Sequence, residues 1–170
     1  MESPSNLAPN SLTNPLFKIV LVEPEIPQNT GNIGRTCVAT GCELHLIGPM
    51  AFEITDKNLK RAGLDYWPNL RWSYYHSVQE WENQVSDKSR VFYFTTKTDR
   101  PYFNVSFKQG DWLVFGKETK GLDPAILEKA KNQTLTIPQP GPVRSLNLAT
   151  AVAIAAYEGL RQISYSQGKI

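Results

Sequence analysis

Short apolar segments alternate with segments that carry helical signals, and this order constrains the fold more than any other feature of the sequence. Four predominantly apolar segments of four to six residues stand out: Phe17–Val22, Leu44–Ile47, Arg90–Phe94 and Trp112–Phe115. Short apolar runs are typical of strands that are buried on both faces of a parallel sheet. Strands that alternate with helices build such a sheet. The sequence therefore predicts an α/β fold, with a mainly parallel sheet and helices on both of its faces.

The segments between these strands supply the remaining elements. A helix is predicted over 30–40, because Pro24 and Pro27 disfavour regular structure before it and Gly41 can form its C-terminal cap. Further helices are predicted over 56–62, 77–85, 124–130 and 146–163, and further strands over 70–75 and 134–137. Because the sequence has no internal repeat and no linker, a single domain is predicted over 17–165. Residues 1–16 are predicted to form a flexible N-terminal tail, and residues 166–170 a short C-terminal tail.

Composition and charge exclude several classes of protein. The apolar runs fall well short of the roughly 20 residues that a membrane-spanning helix needs, and the N-terminal segment, rich in Ser, Asn and Pro, does not resemble a secretory signal. Cys37 and Cys42 are too few for a disulfide framework. We therefore expect a protein of the reducing cytoplasm that does not bind a membrane. The formal net charge of +2 is too small to predict nucleic-acid binding by itself.

Several familiar functional signatures are absent from the sequence. It contains no G-x-x-x-x-G-K-[ST] phosphate loop, no complete G-x-G-x-x-G dinucleotide fingerprint and no G-x-S-x-G nucleophile elbow. Cys37, Cys42, His45 and His76 do not follow a known zinc-binding spacing, so no metal site is expected. The sequence therefore gives no support for a serine hydrolase or a zinc enzyme.

Three polar loops, each with glycine in the loop or in its approach, lie after predicted strands. They cover 29–35, 116–121 and 145–147, and the last follows a proline-rich segment. In an open parallel sheet, ligands bind beyond the carboxyl ends of the strands. Glycine also allows the backbone to approach a ligand closely. We therefore expect the three loops to converge on one site.

The polar residues of these loops also have purely structural interpretations. Asn29, Ser145 and Asn147 are residue types that cap helix N-termini. Arg35 and Glu118 are compatible with ordinary surface charges. The joint occurrence of all five, in this order and placement, favours a functional site over five separate structural roles.

In this order, the three loops resemble motifs 1, 2 and 3 of the SPOUT methyltransferases, RNA-modifying enzymes of the SpoU type. Within that family, segments 24–32 and 61–67 are similar to the small tRNA (cytidine/uridine-34-2′-O)-methyltransferases. The resemblance extends from about Phe17 to Gln162. It implies a C-terminal trefoil knot that binds S-adenosylmethionine, a homodimer, and methylation of the wobble-nucleotide 2′-hydroxyl in the anticodon stem-loop of leucine tRNAs.

The resemblance also implies roles for individual residues. The implied catalytic set is Asn29, Arg35, Glu118, Ser145 and Asn147. The implied cofactor-binding set is Phe94, Thr95, Gly116, Ile137, Ser145 and Leu146. In the family the motif 1 arginine is commonly proposed to help deprotonate the 2′-hydroxyl, but a guanidinium stays protonated in ordinary protein surroundings. We therefore expect Arg35 to orient a substrate phosphate or to stabilise the developing alkoxide, with any role as a base depending on the RNA.

RNA contacts are expected from basic residues in or beside the loops. These are Lys60, Arg61, Lys117, Lys120 and Arg144. Lys117 departs from the narrower group, in which proline is common at this position. Two other functions stay open, namely methylation of ribosomal RNA and a non-catalytic role in RNA binding or assembly. Because relatives that act on ribosomal RNA usually carry an added RNA-binding domain before the knot, the short predicted N-terminal tail favours transfer RNA.

Overall fold

A computed structural model describes residues 14–55, 65–166 and 168 of the chain, and six strands form its single sheet. The strands are β1 (Phe17–Val22), β2 (Glu43–Ile47), β3 (Trp72–Tyr75), β4 (Val91–Phe94), β5 (Asp111–Phe115) and β6 (Thr134–Leu135). Their spatial order is β3-β2-β1-β5-β4-β6. Every pairing is parallel, so the predicted α/β class is confirmed.

Four α-helices connect or follow these strands in the described residues. They are α1 (Pro27–Thr40), α2 (Val78–Glu82), α3 (Pro124–Lys129) and α4 (Leu148–Leu160), and α4 continues as a π-helical turn over Arg161–Tyr165. Within the described ranges, none of the helices combines the length and the apolar character needed to cross a membrane. The predicted helix over 56–62, with Lys60 and Arg61, lies outside the described residues, as does most of the predicted N-terminal tail.

Two helix starts differ from the prediction, one because of proline at the first helical position and the other because of a side-chain cap. Helix α1 begins at Pro27 rather than at residue 30, since proline at the first helical position loses no hydrogen bond and already has a helical φ. Helix α4 begins at Leu148 rather than at residue 146, because the Asn147 side chain caps it by accepting from the Thr150 N–H over 3.2 Å.

Other elements are shorter than predicted. Helix α2 covers 78–82 instead of 77–85, with Ser77 as its N-terminal cap. Strand β6 covers 134–135 instead of 134–137, because Thr136 already bonds to a different segment: its N–H donates to Arg100 O over 2.8 Å, and its own oxygen accepts from Tyr102 N over 2.9 Å. Strand β3 begins at residue 72 and helix α3 ends at residue 129.

Alternate residues of the central strand β1 contact two separate hydrophobic cores. Phe17, Ile19 and Leu21 point to the face that is covered by α1 and α4, whereas Val20 and Val22 point to the face covered by α2 and α3. This alternation follows from the two-residue repeat of a strand. Helices therefore cover both faces of the sheet, as the sequence predicts.

Helix α4 lies very close to β1. Val152, Ala155 and Ala156 have no solvent exposure, and a Cβ atom on Gly159 would lie 1.7 Å from the ring of Phe17. Small residues are therefore required where α4 crosses the sheet. Because α4 starts directly after the third polar loop, this packing also fixes the position of that loop.

The strand order reverses its direction at the centre of the sheet. The chain runs outward from β1 through β2 to β3 on one side, and β5, β4 and β6 occupy the other side. The loop after β1 leads to α1 on one face of the sheet, and the loop after β5 leads to α3 on the other face. Such a switch point is where open parallel sheets bind ligands.

Candidate active site

A cleft of about 400 Å³ opens at the carboxyl ends of β4, β5 and β6. All of the residues assigned to the cofactor from the sequence line it: Phe94, Thr95, Gly116, Ile137, Ser145 and Leu146. Phe94 and Phe115 stack with their ring centroids 4.6 Å apart and contribute apolar wall. The volume lies within the range of roughly 300–1,000 Å³ that is typical of small-molecule sites. The cleft is thus large enough for a nucleoside-sized ligand.

The loop after β5 turns back tightly at one wall of the cleft. Gly121 N–H donates to Lys117 O over 2.9 Å, and a Cβ on Gly116 would lie only 2.1 Å from the carbonyl carbon of Gly121. Gly121 itself has a φ of +67°, which glycine adopts without strain. The wall is therefore built of main chain, and only glycine fits at position 116.

Residues of all three polar loops meet in one hydrogen-bonded network beside the cleft. The Asn147 side-chain amide donates to Asn29 Oδ1 over 3.0 Å, and the Asn29 amide donates to Glu118 Oε1 over 3.3 Å. Asn29 is only 6% exposed. Three of the residues implicated in catalysis by the sequence are therefore in direct contact, although they are far apart along the chain.

Glu118 also closes the N-terminus of α1. Its two carboxylate oxygens accept main-chain N–H groups, from Glu25 over 2.7 Å and from Ile26 over 3.0 Å. A carboxylate at this end of a helix is favoured by the helix dipole and by the unpaired N–H groups there. With Asn29 included, Glu118 accepts three hydrogen bonds, so its evident role is to hold the first polar loop against the second.

Two further contacts, which were not predicted from the sequence, join the same pair of loops. The Glu25 carboxylate accepts from the Thr119 N–H over 3.0 Å and from its hydroxyl over 2.9 Å, and these bonds lower the pKa of Glu25. Lys117 donates to Glu23, which raises the pKa of Lys117. These contacts could have been predicted from the acidic residues in segment 23–25 and the basic residues in segment 117–120, because opposite charges attract.

Arg35 lies apart from the Asn29–Glu118–Asn147 network. It follows Asn29 by six residues, which corresponds to about 9 Å along the helix axis. Its side chain is 58% exposed, and Nη2 is 3.3 Å from Asp65 Oδ1. Its guanidinium lies over the ring of Tyr66, 4.8 Å from the centroid. The structure therefore places Arg35 on the outer surface of α1.

The remaining predicted residues lie at the mouth of the cleft. Ser145 is exposed and lines it, together with Lys117, Lys120 and Arg144. Because Lys117 is paired with Glu23, its charge is partly neutralised. Three of the five cations predicted to contact RNA are thus beside the cleft, and the other two, Lys60 and Arg61, lie outside the described residues.

The two cysteines do not have the character of reactive thiols. Cys37 and Cys42 are free and buried. Burial raises the pKa of Cys42 to about 11 and raises that of Cys37 well above its ordinary value, so both remain protonated at neutral pH. In the part of the chain that the structure describes, no three His, Cys, Asp or Glu side chains are grouped so that they could hold a metal ion.

Known proteins are similar to this chain in sequence and in fold over nearly all of the described residues. Residues 16–157 match the SpoU rRNA Methylase family. The tRNA (cytidine(34)-2′-O)-methyltransferase of Burkholderia pseudomallei is 41% identical over 158 residues, which span 90% of this chain and 99% of that protein.

Solved structures of similar proteins support the same family relationship. One that describes the 2-OH methylation of C/U34 on tRNA is 46% identical with a TM-score of 0.82, and the match covers 88% of this chain and 97% of that chain. The SpoU methyltransferase AviRb from Streptomyces viridochromogenes, in complex with the cofactor AdoMet, is 25% identical with a TM-score of 0.78, covering 93% of this chain and 62% of that chain.

Proposed function

The chain belongs to the SpoU rRNA Methylase family, and on this premise we propose that it transfers a methyl group from S-adenosylmethionine to the 2′-hydroxyl of nucleotide 34 in tRNA. Family membership identifies it as a methyltransferase. The observation that carries the proposal is the network of Asn147, Asn29 and Glu118 at the edge of a nucleoside-sized cleft. The similarity to a tRNA (cytidine(34)-2′-O)-methyltransferase over 90% of the chain supports the choice of substrate.

The cleft fits S-adenosylmethionine in its chemistry as well as its volume. Main chain at Gly116 and apolar side chains such as Phe94 and Leu146 line it. Gln139 also lines it, and its side-chain oxygen is buried with no hydrogen-bond partner in the described part of the chain. A buried acceptor without a donor is costly, and an N–H or O–H group of a nucleoside can supply the missing donor.

The chain contributes positioning to this reaction. The cofactor supplies an electrophilic methyl group on a positively charged sulfur, so the chain has to hold the attacking ribose oxygen in line. Glu118 fixes the orientation of the Asn29 amide, and the Asn29 oxygen in turn fixes the amide of Asn147. Ser145, which lines the cleft mouth, is assigned in this proposal to contact the ribose. Arg35 orients a phosphate of the RNA or stabilises the developing alkoxide.

The proposal also includes the identity of the tRNA and the oligomeric state of the protein. The substrate is the anticodon stem-loop of leucine tRNAs, with cytidine or uridine at position 34, and the protein works as a cytoplasmic homodimer. Lys120 and Arg144 at the cleft mouth provide charge for the RNA backbone. A trefoil knot at the C-terminal end belongs to the same proposal, and the contribution of loops 116–121 and 144–146 to one cleft supports it.

The test is transfer of labelled methyl groups from S-adenosylmethionine to leucine tRNA that lacks wobble methylation, followed by nuclease mapping of the label. The matched control is the same tRNA with a 2′-deoxynucleotide at position 34. We expect label in the 2′-O-methyl group of nucleotide 34 and none in the control. An Asn29→Ala variant is expected to bind the cofactor but to transfer label much more slowly.

Other outcomes would change the proposal in defined ways. Label that persists in the 2′-deoxy control would place the methyl group elsewhere in the tRNA. Methylation of ribosomal RNA fragments but not of tRNA would replace the substrate and keep the chemistry. A protein that does not bind S-adenosylmethionine would point to the non-catalytic role in RNA binding or assembly.

A further inference from the structure

Tyr66 is bonded to the turn of α1 that carries Arg35. Its hydroxyl donates to the main-chain oxygen of Gly31, which lies one helical turn before Arg35. Tyr66 is only 8% exposed, and burial raises the pKa of its phenol to about 12. The phenol is therefore protonated at neutral pH and stays a hydrogen-bond donor to the helix.

The guanidinium of Arg35 also lies over the ring of Tyr66. The distance of 4.8 Å from Arg35 Cζ to the ring centroid lies within the range of about 6 Å over which a cation is attracted to an aromatic face. Asp65 meets the edge of the same guanidinium at 3.3 Å, but its side chain is 87% exposed. Exposed ion pairs are weak and easily exchanged, so the contact with the Tyr66 ring is more lasting than the contact with Asp65.

The segment that carries Tyr66 is itself packed against α1 and the sheet. A Cβ on Gly34 would lie 3.2 Å from the Tyr66 ring and 3.3 Å from that of Trp67, so the absence of a side chain at Gly34 allows this close contact. Trp67 packs on Trp72 of β3, with ring centroids 5.5 Å apart. The Tyr66 ring is thus a fixed surface under an otherwise exposed arginine.

We propose that Tyr66 is a positioning residue for Arg35, and that its ring is the platform on which the guanidinium is held toward the RNA substrate. This inference rests on the proposed function, because it assigns Arg35 to the substrate side of the reaction. An exposed arginine loses rotamer entropy when a ligand fixes it. A platform that orients the side chain before RNA binds reduces that loss, and the phosphate or ribose oxygen then replaces Asp65 at the guanidinium edge.

The test is a double-mutant cycle on the single-turnover rate of methyl transfer to leucine tRNA at saturating RNA. Tyr66→Leu is expected to lower the rate about tenfold or more, since a displacement of about 1 Å in a reacting group can cost that much. Tyr66→Phe keeps the ring and is expected to retain most of the rate. In an Arg35→Ala background, Tyr66→Leu is expected to cause no further loss, because a residue that acts through Arg35 has nothing left to position.

Two controls separate positioning from a general loss of packing. Tyr93→Leu removes a partly buried tyrosine of β4 that packs on the opposite face of the sheet from α1, and it is expected to leave the rate unchanged. Calorimetric binding of sinefungin, a stable analogue of S-adenosylmethionine, is expected to be the same in all variants. If Tyr66→Leu does not fold, fluorinated phenylalanines at position 66 weaken the negative face of the ring at nearly constant size, and the rate is expected to fall with each added fluorine.

Specific results would overturn the positioning role of Tyr66. Equal losses from Tyr66→Leu in the wild-type and Arg35→Ala backgrounds would overturn the positioning role, as would a rate that does not respond to Tyr66→Leu or to fluorination. A wild-type protein that binds sinefungin but methylates no tRNA would overturn the proposed function, and this role of Tyr66 with it.

Discussion

The side-chain amide of Asn147 donates to the side-chain oxygen of Asn29 over 3.0 Å, while the side-chain oxygen of Asn147 caps α4 by accepting from Thr150 N. One residue therefore performs two tasks through two different atoms. The amide nitrogen connects the first and third polar loops, and the oxygen begins a helix. Substitutions that remove one atom at a time can separate the two tasks.

Asn147→Asp keeps the capping oxygen and removes the donor to Asn29. We expect its free energy of unfolding to change little, whereas Asn147→Ala, which loses the cap as well, should cost about 1 kcal/mol. Both variants should transfer methyl groups at least about tenfold more slowly. Urea unfolding and single-turnover assays measure the two effects, and an active Asn147→Asp protein would show that the bond to Asn29 is not required.

Glu118→Gln should weaken the start of α1. Three N–H donors, from Glu25, Ile26 and Asn29, share the two carboxylate oxygens of Glu118. A glutamine side chain has one oxygen, so at least one donor would face an NH₂ group. We expect a loss of about 1–3 kcal/mol in the free energy of unfolding, measured by urea denaturation. The exposed Glu128→Gln is the matched control, and an equal stability of the two variants would contradict the capping role.

Gly116→Ala should displace one wall of the cleft. A methyl group there would lie 2.1 Å from the Gly121 carbonyl carbon and 2.2 Å from Leu122 N, so the loop after β5 must move. We expect at least about a tenfold loss of affinity for S-adenosylmethionine, or about 1.4 kcal/mol, measured by calorimetry. Gly141→Ala is the control, since a Cβ there meets no atom within 4 Å. Equal affinities in the two variants would show that the 116–121 turn does not form the binding wall.

Stability should decrease as the pH falls below about 6.5, the ordinary pKa of histidine. His45 is 6% exposed and contacts Tyr75 and Glu43. Burial is the largest cause that lowers its pKa, the charges of Lys18 and Arg71 lower it further, and Glu43 offsets these effects only in part. Over this pH range the unfolded chain binds more protons than the folded one, so acid favours unfolding, while above the unfolded pKa both forms are neutral.

The measurement for His45 is the free energy of unfolding by urea from about pH 8 to about pH 5. His45→Gln, which cannot titrate, should lose much of the decrease that the wild-type protein shows over this interval. An identical pH dependence in the two proteins would indicate that another group is responsible.

The protein should be a dimer in solution. Tyr157 of α4 and Tyr165 of the following turn are 53% and 72% exposed, which leaves large aromatic surface on the helix that also covers the sheet. We expect light scattering at micromolar concentration to give about twice the 19.1 kDa of one chain. Tyr157→Glu should shift the mass toward that of one chain. A wild-type mass near 19.1 kDa would contradict the prediction.

The strands were predictable because their physical signal is local. Runs such as Phe17–Val22 are apolar except at Lys18, and the structure places this segment in the middle of a sheet covered on both faces. The start of α1 was not predicted, because Pro27 was interpreted as barring regular structure. Proline is tolerated at the first helical position, where no N–H bond is lost, and sequence alone did not distinguish that position from a loop.

Part of the group of side chains that meet beside the cleft was predictable from the sequence, and the connections between them were not. The sequence singled out Asn29, Glu118 and Asn147, but a bond between two side chains of distant loops depends on the tertiary arrangement. The capping of α1 by Glu118 and the separate placement of Arg35 beside Tyr66 are likewise properties of the folded chain. The residue types therefore indicated which side chains could take part in the site, and the arrangement of the strands determined which of them are in contact.

The pairing of β1 with β5 has a consequence for how the chain is made. Phe17 aligns with Asp111 in the centre of the sheet, so β1, which is synthesised before the other five described strands, receives its second neighbour only after β5 has been made. Until then β1 has an open, apolar edge that can pair with other chains. Nascent chains that stop before β5 are therefore expected to depend on chaperones, whereas chains that include β5 can protect this edge themselves.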